Sequence, residues 1–148
     1  MPEEKMNPST TAQPNFQELF PPGLQLEEEK IVQDSHLAAR IESGAMEVLS
    51  TPWLIAFMEQ TSHKLLQQKL PHNYSSVGAT VHIQHLAPTP VGTKIRVQAT
   101  VEKVLKRTVY LHVQAWDPIE KIGEGEHQRA IIHIERFLAK VKKKNPSP

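Results

Sequence analysis

Apolar and polar residues alternate along several stretches in the second half of the chain. Apolar residues occupy every second position over 77–83, 95–101 and 109–115. A period of two is typical of β-strands that pack one face on a core. Residues 24–33 and the alternating Ala130, Ile132 and Ile134 predict a first and a last strand, and residues 105–107 predict a hairpin.

Residues 51–59 break this alternation. The segment is apolar on nearly every side of a helix through its first half and then carries one carboxylate, Glu59. Thr51 is expected to be the N-cap and Pro52 the first helical residue, so a helix is predicted over 52–69, ending before Pro71. Because a helix that is apolar on all sides must be covered, we predict an α+β fold. In it, an antiparallel sheet wraps around one long buried helix.

The length of the chain predicts one domain with two terminal extensions. A chain of 148 residues suggests a single domain. Residues 1–22 hold five of the twelve prolines and are expected to form a mobile arm, with Phe16, Leu19 and Phe20 as candidate anchors. Residues 23–141 form the predicted domain, and the basic residues 142–148 are expected to be a solvated tail.

Composition argues against several classes of function. The net charge of +1 gives no reason to expect a nucleic-acid partner, and the lack of cysteine excludes disulfides and thiolate chemistry. No apolar run approaches the roughly 18 residues of a membrane span, and no secretory signal is visible. We therefore expect a cytoplasmic protein that binds neither membranes nor nucleic acid. Since an open sheet has free edges, pairing of two copies predicts a homodimer, with a tetramer as a further option.

Three polar residues stand at positions where the pattern predicts apolar surroundings. His85 continues the apolar face of its strand and would point toward the helix, either as a proton carrier or as a core histidine bonded to a carbonyl. Glu59 lies away from the polar stripe of the helix, so it is either a base or nucleophile of altered basicity or a solvated carboxylate. Thr51 would either hold an oxyanion at the helix N-terminus or only cap the helix.

Spacing restricts how these residues can combine. Thr51 and Glu59 are eight residues apart, about 12 Å along a regular helix, so a site that uses both needs a bridging residue such as His85 or a partner chain. His82 and His85 would point to opposite faces of a strand, so no metal site is predicted. The glycines at 123 and 125 are expected to form a turn or bulge before the last strand. Arg129 would bind an anion or carbonyl, or pair with a surface acid.

In their order and spacing, these segments resemble the hotdog-fold acyl-CoA thioesterases, and among them the fluoroacetyl-CoA thioesterase group. The likeness covers residues 48–141 and rests on the segments at 48–51, 58–59, 85–92 and 121–130. The resemblance implies that Thr51, Glu59 and His85 are the catalytic residues. It also implies that Gly78 lies near the thioester carbonyl and Arg129 near the acyl group.

The resemblance further implies a site at or near a dimer interface, with no metal and no bound cofactor, because coenzyme A is part of the substrate. Fluoroacetyl-specific members carry bulky aromatic residues just before the catalytic threonine. Residues 44–49 hold none, which predicts a more open lid and a longer acyl group.

The predicted function is hydrolysis of an acyl-CoA thioester to the free acid and coenzyme A. One alternative is a non-catalytic acyl-CoA-binding or sensing module on the same fold, since fold alone does not fix activity. A hydratase or dehydratase is the other alternative. It usually depends on an Asp/His pair, and the sequence has no such pair in matching positions.

Overall fold

The structure, a computed structural model, describes residues 13–146. Its centre is a five-stranded antiparallel sheet in the order β1-β3-β4-β5-β2. The strands are β1 (Gln25–Ile31), β2 (Tyr74–His85), β3 (Lys94–Leu105), β4 (Thr108–Trp116) and β5 (Lys121–His133). The helices are α1 (Phe16–Leu19), α2 (Thr51–Gln67) and α3 (Ile134–Lys143), with two short 3-10 turns at Asp34–His36 and Ala38–Arg40. The predicted α+β class is confirmed.

Helix α2 lies across one face of the sheet and buries its apolar side there. Its Leu54, Met58 and Leu66 are at most 1% exposed. The inward residues of β3 and β4 are equally buried: Ile95, Val97, Ala99, Val101, Val109, Leu111, Val113 and Ala115. Two of the alternating runs in the sequence are thus confirmed as core faces, and so is the hairpin at 105–107 between these strands.

The first half of α2 is also covered by the loop that precedes it. The His36 ring centroid lies 4.4 Å from that of Trp53 and 4.9 Å from that of Phe57. The backbone N–H of Gln33 donates to His36 Nδ1 over 2.9 Å. Burial lowers the pKa of His36, which favours the neutral ring that this contact requires. The loop therefore helps to fix the start of α2, where the candidate site begins.

Strand β2 differs from the prediction because it contains a β-bulge. Its register against β5 shifts between Gly78 and Thr80, which leaves one extra residue out of the ladder. An extra residue reverses the facing of the side chains beyond it. Val81 and His85 face α2, but Val77 points to the opposite side of the sheet. The prediction of one continuous apolar face over 77–83 is wrong, whereas the inward direction of His85 is confirmed.

The buried face of β5 is the opposite of the predicted one. The pattern favoured Ala130, Ile132 and Ile134, but Ile131 is the buried residue, at 1% exposed. Ile134 is the first residue of α3, a helix that the sequence did not predict. The prediction failed because much of the inward face of β5 consists of glycine and polar residues, which carry no hydrophobic signal.

The glycines at the start of β5 lie within the strand and not in a turn before it, and the predicted alternative, a β-bulge, is present beside Gly123 in the pairing with β4. A Cβ added at Gly123 would lie 2.7 Å from Leu54 Cδ2 and 3.2 Å from Met58 Cε. The strand therefore approaches α2 more closely there than a side chain would allow. This close contact seats the first half of α2 against the edge of the sheet formed by β5 and β2.

The residues at both ends of the predicted domain are ordered, and the three candidate anchors of the N-terminal arm contact the core. Phe16 and Phe20 are buried in the core and Leu19 packs against it, so residues 16–20 belong to the folded domain. Residues 1–12 of the predicted arm and 147–148 of the predicted tail lie outside the described residues. The predicted boundary at 141 falls inside α3. Within residues 13–146, no helix is long and apolar enough to cross a membrane.

Candidate active site

A hydroxyl and an imidazole meet at the N-terminus of α2. Thr51 Oγ1 lies 2.8 Å from His85 Nδ1, a hydrogen-bond distance for a threonine and a histidine that come from α2 and the end of β2. We call these two residues the Thr51–His85 pair. A hydroxyl in contact with an imidazole is the arrangement in which the ring can accept the hydroxyl proton during nucleophilic attack.

Ser50, and not Thr51, caps the helix. The Ser50 side chain accepts a hydrogen bond from the backbone N–H of Trp53 over 3.3 Å, so the predicted capping role of Thr51 is wrong. This difference matters because it leaves the Thr51 hydroxyl free to contact His85. Since Pro52 has no N–H, Thr51 contributes the first-turn amide of α2 that remains open to an oxyanion within the described part of the chain.

His85 is half-buried and neutral in character. Burial lowers its pKa, and the backbone of Ala87 opposes that shift. Its Nε2 atom is buried with no hydrogen-bond partner among the described residues. A buried ring nitrogen without a partner is costly in a finished core. The Thr51 hydroxyl is thus the side-chain partner of His85 among the described residues, and it contacts the ring through Nδ1.

A second cluster surrounds Gly78 further along α2. A Cβ added at Gly78 would lie 2.5 Å from Glu59 Oε2, 3.5 Å from His127 Cε1 and 3.6 Å from Arg129 Nη1. We call Glu59, Gly78, His127 and Arg129 the Arg129 cluster. Glycine at this position leaves just enough room for the Glu59 carboxylate, so a carboxylate, an imidazole and a guanidinium converge on the backbone of β2 there.

Arg129 is a buried cation with most of its donors satisfied. Its side chain is 7% exposed and its Nη1 lies 3.8 Å from Glu59 Oε2, while the Glu59 side chain is 41% exposed. Nε donates to Ser76 Oγ over 2.9 Å and Nη2 donates to the Ser76 carbonyl over 3.1 Å. Burial lowers the pKa of Arg129, and the charge of Glu59 opposes this. Arg129 therefore pairs with a partly exposed acid, Glu59.

His127 belongs to the site although the sequence analysis gave it no role. It is 2% exposed, its Nε2 lies 3.2 Å from Arg129 Nη1, and its Nδ1 lies 2.8 Å from the Thr80 carbonyl. The available signal was the His-x-Arg spacing, because residues two apart on a strand share a face.

The Thr51–His85 pair and the Arg129 cluster are separate within one chain. Thr51 and Glu59 lie two turns apart on α2, and the contacts of His85 include Thr51 but not Glu59. The bridging role considered for His85 is therefore not seen in the protomer. The two groups line the same side of α2, next to β2, which is an edge strand of the sheet.

A cleft of about 340 Å³ adjoins the Thr51–His85 pair. Its lining is free of aromatic side chains and includes Ala38, Ser43, Val48, Leu49, Ser50, Leu86, Ala87 and Pro88. The segment before Thr51 folds over this cleft, held by a hydrogen bond from Ala38 N to the Val48 carbonyl and by the ion pair of Arg40 with Glu47. A cleft that is lined by small and aliphatic side chains and is open to solvent can accept an apolar group attached to a reacting carbonyl.

The residues best placed to hold a metal ion are not part of this site. Glu102, His112 and Glu126 offer ligand atoms that lie within 4.8 Å of one another. They stand on the face of the sheet opposite α2, and a hydrogen bond with Glu126 raises the pKa of Glu102. His82 lines the same outer face as His112, whereas His85 faces α2, so the prediction that the two histidines point to opposite faces of the strand is confirmed.

Comparison with known proteins places this geometry in a family. The family described as fluoroacetyl-CoA-specific thioesterase matches residues 32–135. A fluoroacetyl-CoA thioesterase of Streptantibioticus cattleyicolor is 35% identical over 101 residues, which are 68% of this chain and 73% of the relative.

Solved structures agree. The fluoroacetyl-CoA thioesterase structure superposes with a TM-score of 0.79 at 28% identity, covering 84% of this chain and 96% of that chain. A hot-dog-like protein from Thermanaerovibrio acidaminovorans gives 0.83 at 27% identity, covering 90% and 99%.

The fold and the site thus define a hotdog-fold thioesterase. Within that class, the chain belongs to the fluoroacetyl-CoA-specific thioesterase family. The resemblance, fold and enzyme class predicted from the sequence are confirmed. The roles of the individual residues and the identity of the acyl group are matters of proposal.

Proposed function

We propose that this protein hydrolyses acyl-CoA thioesters, with the Thr51–His85 pair and Glu59 as its catalytic residues. The observation that carries the proposal is the 2.8 Å contact between Thr51 Oγ1 and His85 Nδ1 at the start of α2. Family membership supports the reaction class, and a relative solved in complex with acetyl-CoA shows that such a thioester binds to that relative.

The proposed reaction begins with attack of Thr51 Oγ on the thioester carbonyl carbon. His85 accepts the hydroxyl proton, which its lowered pKa leaves it free to do at neutral pH. The tetrahedral intermediate breaks its C–S bond, and the coenzyme A thiolate leaves with the proton returned by His85. Glu59 of the other protomer then takes a proton from water, the hydroxide attacks the acyl ester carbonyl, and the bond from that carbon to Thr51 Oγ breaks. The acid is released, and the proton held by Glu59 returns to Thr51 Oγ. Attack by Glu59 itself is the competing route, and rapid-quench trapping of the acylated peptide separates the two.

The oxyanion of the intermediate needs donors that are fixed in advance. The Thr51 amide at the positive end of α2 serves one side of the carbonyl. Arg129 supplies positive charge beside Gly78, where the absence of a side chain leaves room for the Glu59 carboxylate. These roles for Gly78 and Arg129 rest on their positions around Glu59.

We propose that two protomers assemble the complete site. The β1 edge carries four charged residues in a row, at 27–30. Residues 78–82 of the β2 edge are exposed and, apart from one histidine, uncharged. Charged edges resist pairing and uncharged edges permit it. An antiparallel two-fold pairing of β2 with its copy, centred near Val81, would bring the Thr51–His85 pair of one protomer opposite the Arg129 cluster of its partner. A tetramer built from such dimers is compatible with this proposal.

The acyl group proposed for the substrate is larger than fluoroacetyl. The cleft beside Thr51 is lined by small or aliphatic side chains, and no aromatic residue narrows it. The reaction proposed here uses no bound cofactor and no metal, since coenzyme A arrives with the substrate. We also propose a cytoplasmic location.

The experiment is thiol release from a panel of acyl-CoAs, from acetyl and fluoroacetyl to long chains. His85→Ala and Glu59→Ala should each lower turnover by about tenfold or more. Gln60→Ala serves as the matched control, because Gln60 is exposed beside Glu59 and contacts Lys30 on the other side of the helix. Unchanged turnover in His85→Ala would contradict its role. No turnover on any substrate, together with tight acyl-CoA binding by calorimetry, would favour the sensing module.

A further inference from the structure

We infer that His127 is a positioning residue that holds the Arg129 guanidinium in its working orientation through a fixed neutral tautomer. The inference rests on the proposed function only for the role of Arg129 toward substrate. The contacts of His127 itself are independent of that role.

The tautomer of His127 follows from its two partners. The Thr80 carbonyl lies 2.8 Å from Nδ1, and a carbonyl can only accept, so Nδ1 carries the proton. Nε2 is then an acceptor, and it lies 3.2 Å from Arg129 Nη1, which can only donate. The neutral ring with its proton on Nδ1 satisfies both partners; the other neutral tautomer satisfies neither, and a second proton on Nε2 keeps the Thr80 bond but removes the acceptor of Arg129.

The β-bulge in β2 supports this arrangement. The register of β2 against β5 shifts between Gly78 and Thr80, at the point where the Thr80 carbonyl receives the His127 proton. On an edge strand only every second carbonyl bonds to the neighbouring strand, and at the bulge the Thr80 carbonyl bonds to the His127 ring. The bulge therefore coincides with the backbone acceptor that His127 uses.

His127 completes a set of bonds that fixes the guanidinium plane. Ser76 receives hydrogen bonds from Nε and Nη2, and His127 receives one from Nη1. The second N–H group of Nη1 lies on the side of Glu59 and Gly78. Without the imidazole, Nη1 would lose its acceptor and the guanidinium could rotate away from that region.

Protonation of His127 would break the arrangement. Burial lowers the pKa of His127, and the Arg129 charge adds to that effect, while the Thr80 carbonyl and Glu59 oppose it. The charged groups that face His127 are Arg129 on its own strand and Glu59 on α2. Its neighbours across the sheet, Val81 and Leu111, are uncharged.

The test compares two replacements of the same ring. His127→Leu removes both hydrogen bonds, whereas His127→Gln keeps a donor and an acceptor and does not titrate. We expect His127→Leu to lower kcat/KM by at least about tenfold, mainly through KM. His127→Gln should keep most of the wild-type kcat/KM. Because glutamine does not titrate, the decrease of kcat/KM at acid pH should be smaller than in the wild type. His72→Leu, at an exposed position, is the matched control and should leave both values unchanged.

A second readout does not depend on activity. In the NMR spectrum, the Arg129 guanidinium signals should show restricted rotation in the wild type and in His127→Gln, and free rotation in His127→Leu. If the guanidinium rotates freely in His127→Leu and the activity is unchanged, the role of Arg129 in the proposed function is refuted, but the inference about His127 stands. Restricted rotation and unchanged KM in His127→Leu would overturn the inference. If His127→Leu does not fold, free rotation of Arg129 in His127→Gln would overturn it.

Discussion

Thr51 and His85 are 34 positions apart in the chain, yet their side chains meet at 2.8 Å. The contact exists because Ser50 takes over the cap of α2, which releases the Thr51 hydroxyl, and because the bulge in β2 restores the inward direction of His85. Glu59, two turns further along α2, joins Arg129 instead. The protomer thus carries two separate groups of polar residues beside the β2 edge.

The claim that Ser50 caps α2 and Thr51 does not can be tested by measuring the free energy of unfolding. Ser50→Ala removes the hydrogen bond to the Trp53 amide, so the free energy of unfolding should fall by about 1 kcal/mol. Thr51→Ala leaves the cap intact and should change it by less than about 0.5 kcal/mol. Urea unfolding of both variants checks this. If Thr51→Ala lowers the free energy of unfolding more than Ser50→Ala does, Thr51 and not Ser50 is the N-cap.

Gly78→Ala should separate folding from catalysis. The added methyl group would meet the carboxylate of Glu59, which is the movable end of a flexible side chain. We therefore expect a folded protein whose unfolding free energy changes by less than about 1 kcal/mol, with turnover at least about tenfold lower. Thermal unfolding and thiol release measure the two effects. Wild-type turnover would show that Glu59 need not stay beside Gly78.

Stability should fall as the pH drops below about 6.5. Burial lowers the pKa values of His36, His85 and His127 in the fold, so the unfolded chain binds protons that the folded chain does not. The stabilisation is fully present above the unfolded pKa and is lost as the pH falls toward the folded values. Each histidine contributes at most about 1.4 kcal/mol per pH unit in that window.

Urea unfolding between pH 7.5 and 5 measures this slope. The pKa of Glu28 is also lowered, but below an ordinary value of 4.5, so its effect lies at lower pH. His127→Gln should reduce the slope, because one of the rings with a lowered pKa is gone. Constant or rising stability on acidification would contradict the assignment of buried neutral histidines.

A charge at the centre of the β2 edge should abolish the proposed dimer. Val81 is 39% exposed on that edge, and a buried unpaired carboxylate there would be costly. Val81→Asp should therefore yield monomers by light scattering and lose activity. Ile31→Asp is the matched control, because Ile31 is 54% exposed on the other edge strand. A dimer lost in Ile31→Asp and kept in Val81→Asp would place the interface at β1.

Much of the fold could be predicted because β3 and β4 have regular faces. Every second residue from Ile95 to Val101 is apolar and buried, and the same holds from Val109 to Ala115. Where these strands pack on α2, the residues that alternate as apolar in the sequence are the residues that the helix covers. The direction of His85 and the burial of α2 followed from such patterns.

The remaining features depend on contacts that local patterns do not record. Ser50 and Thr51 are both suitable N-caps, and only the distant His85 distinguishes them. The face of β5 was misassigned because His127 and Arg129 occupy inward positions that a core would give to apolar residues. The residues that disturb the hydrophobic pattern are those of the candidate site.

The measurement that tests the central claim most directly is complementation between two inactive variants. Thr51→Ala and Glu59→Ala subunits carrying different tags would be co-expressed, and the heterodimer purified through both tags. Because one of its two shared sites would be intact, it should hydrolyse the best acyl-CoA at about half the wild-type rate.

The matched control is a heterodimer of Thr51→Ala and His85→Ala subunits. It should stay inactive, because each protomer would then lack one member of its own Thr51–His85 pair. Activity near half of wild type in the first heterodimer and none in the control is the predicted result. A first heterodimer as inactive as its parents, although stably dimeric, would contradict a catalytic site shared between protomers.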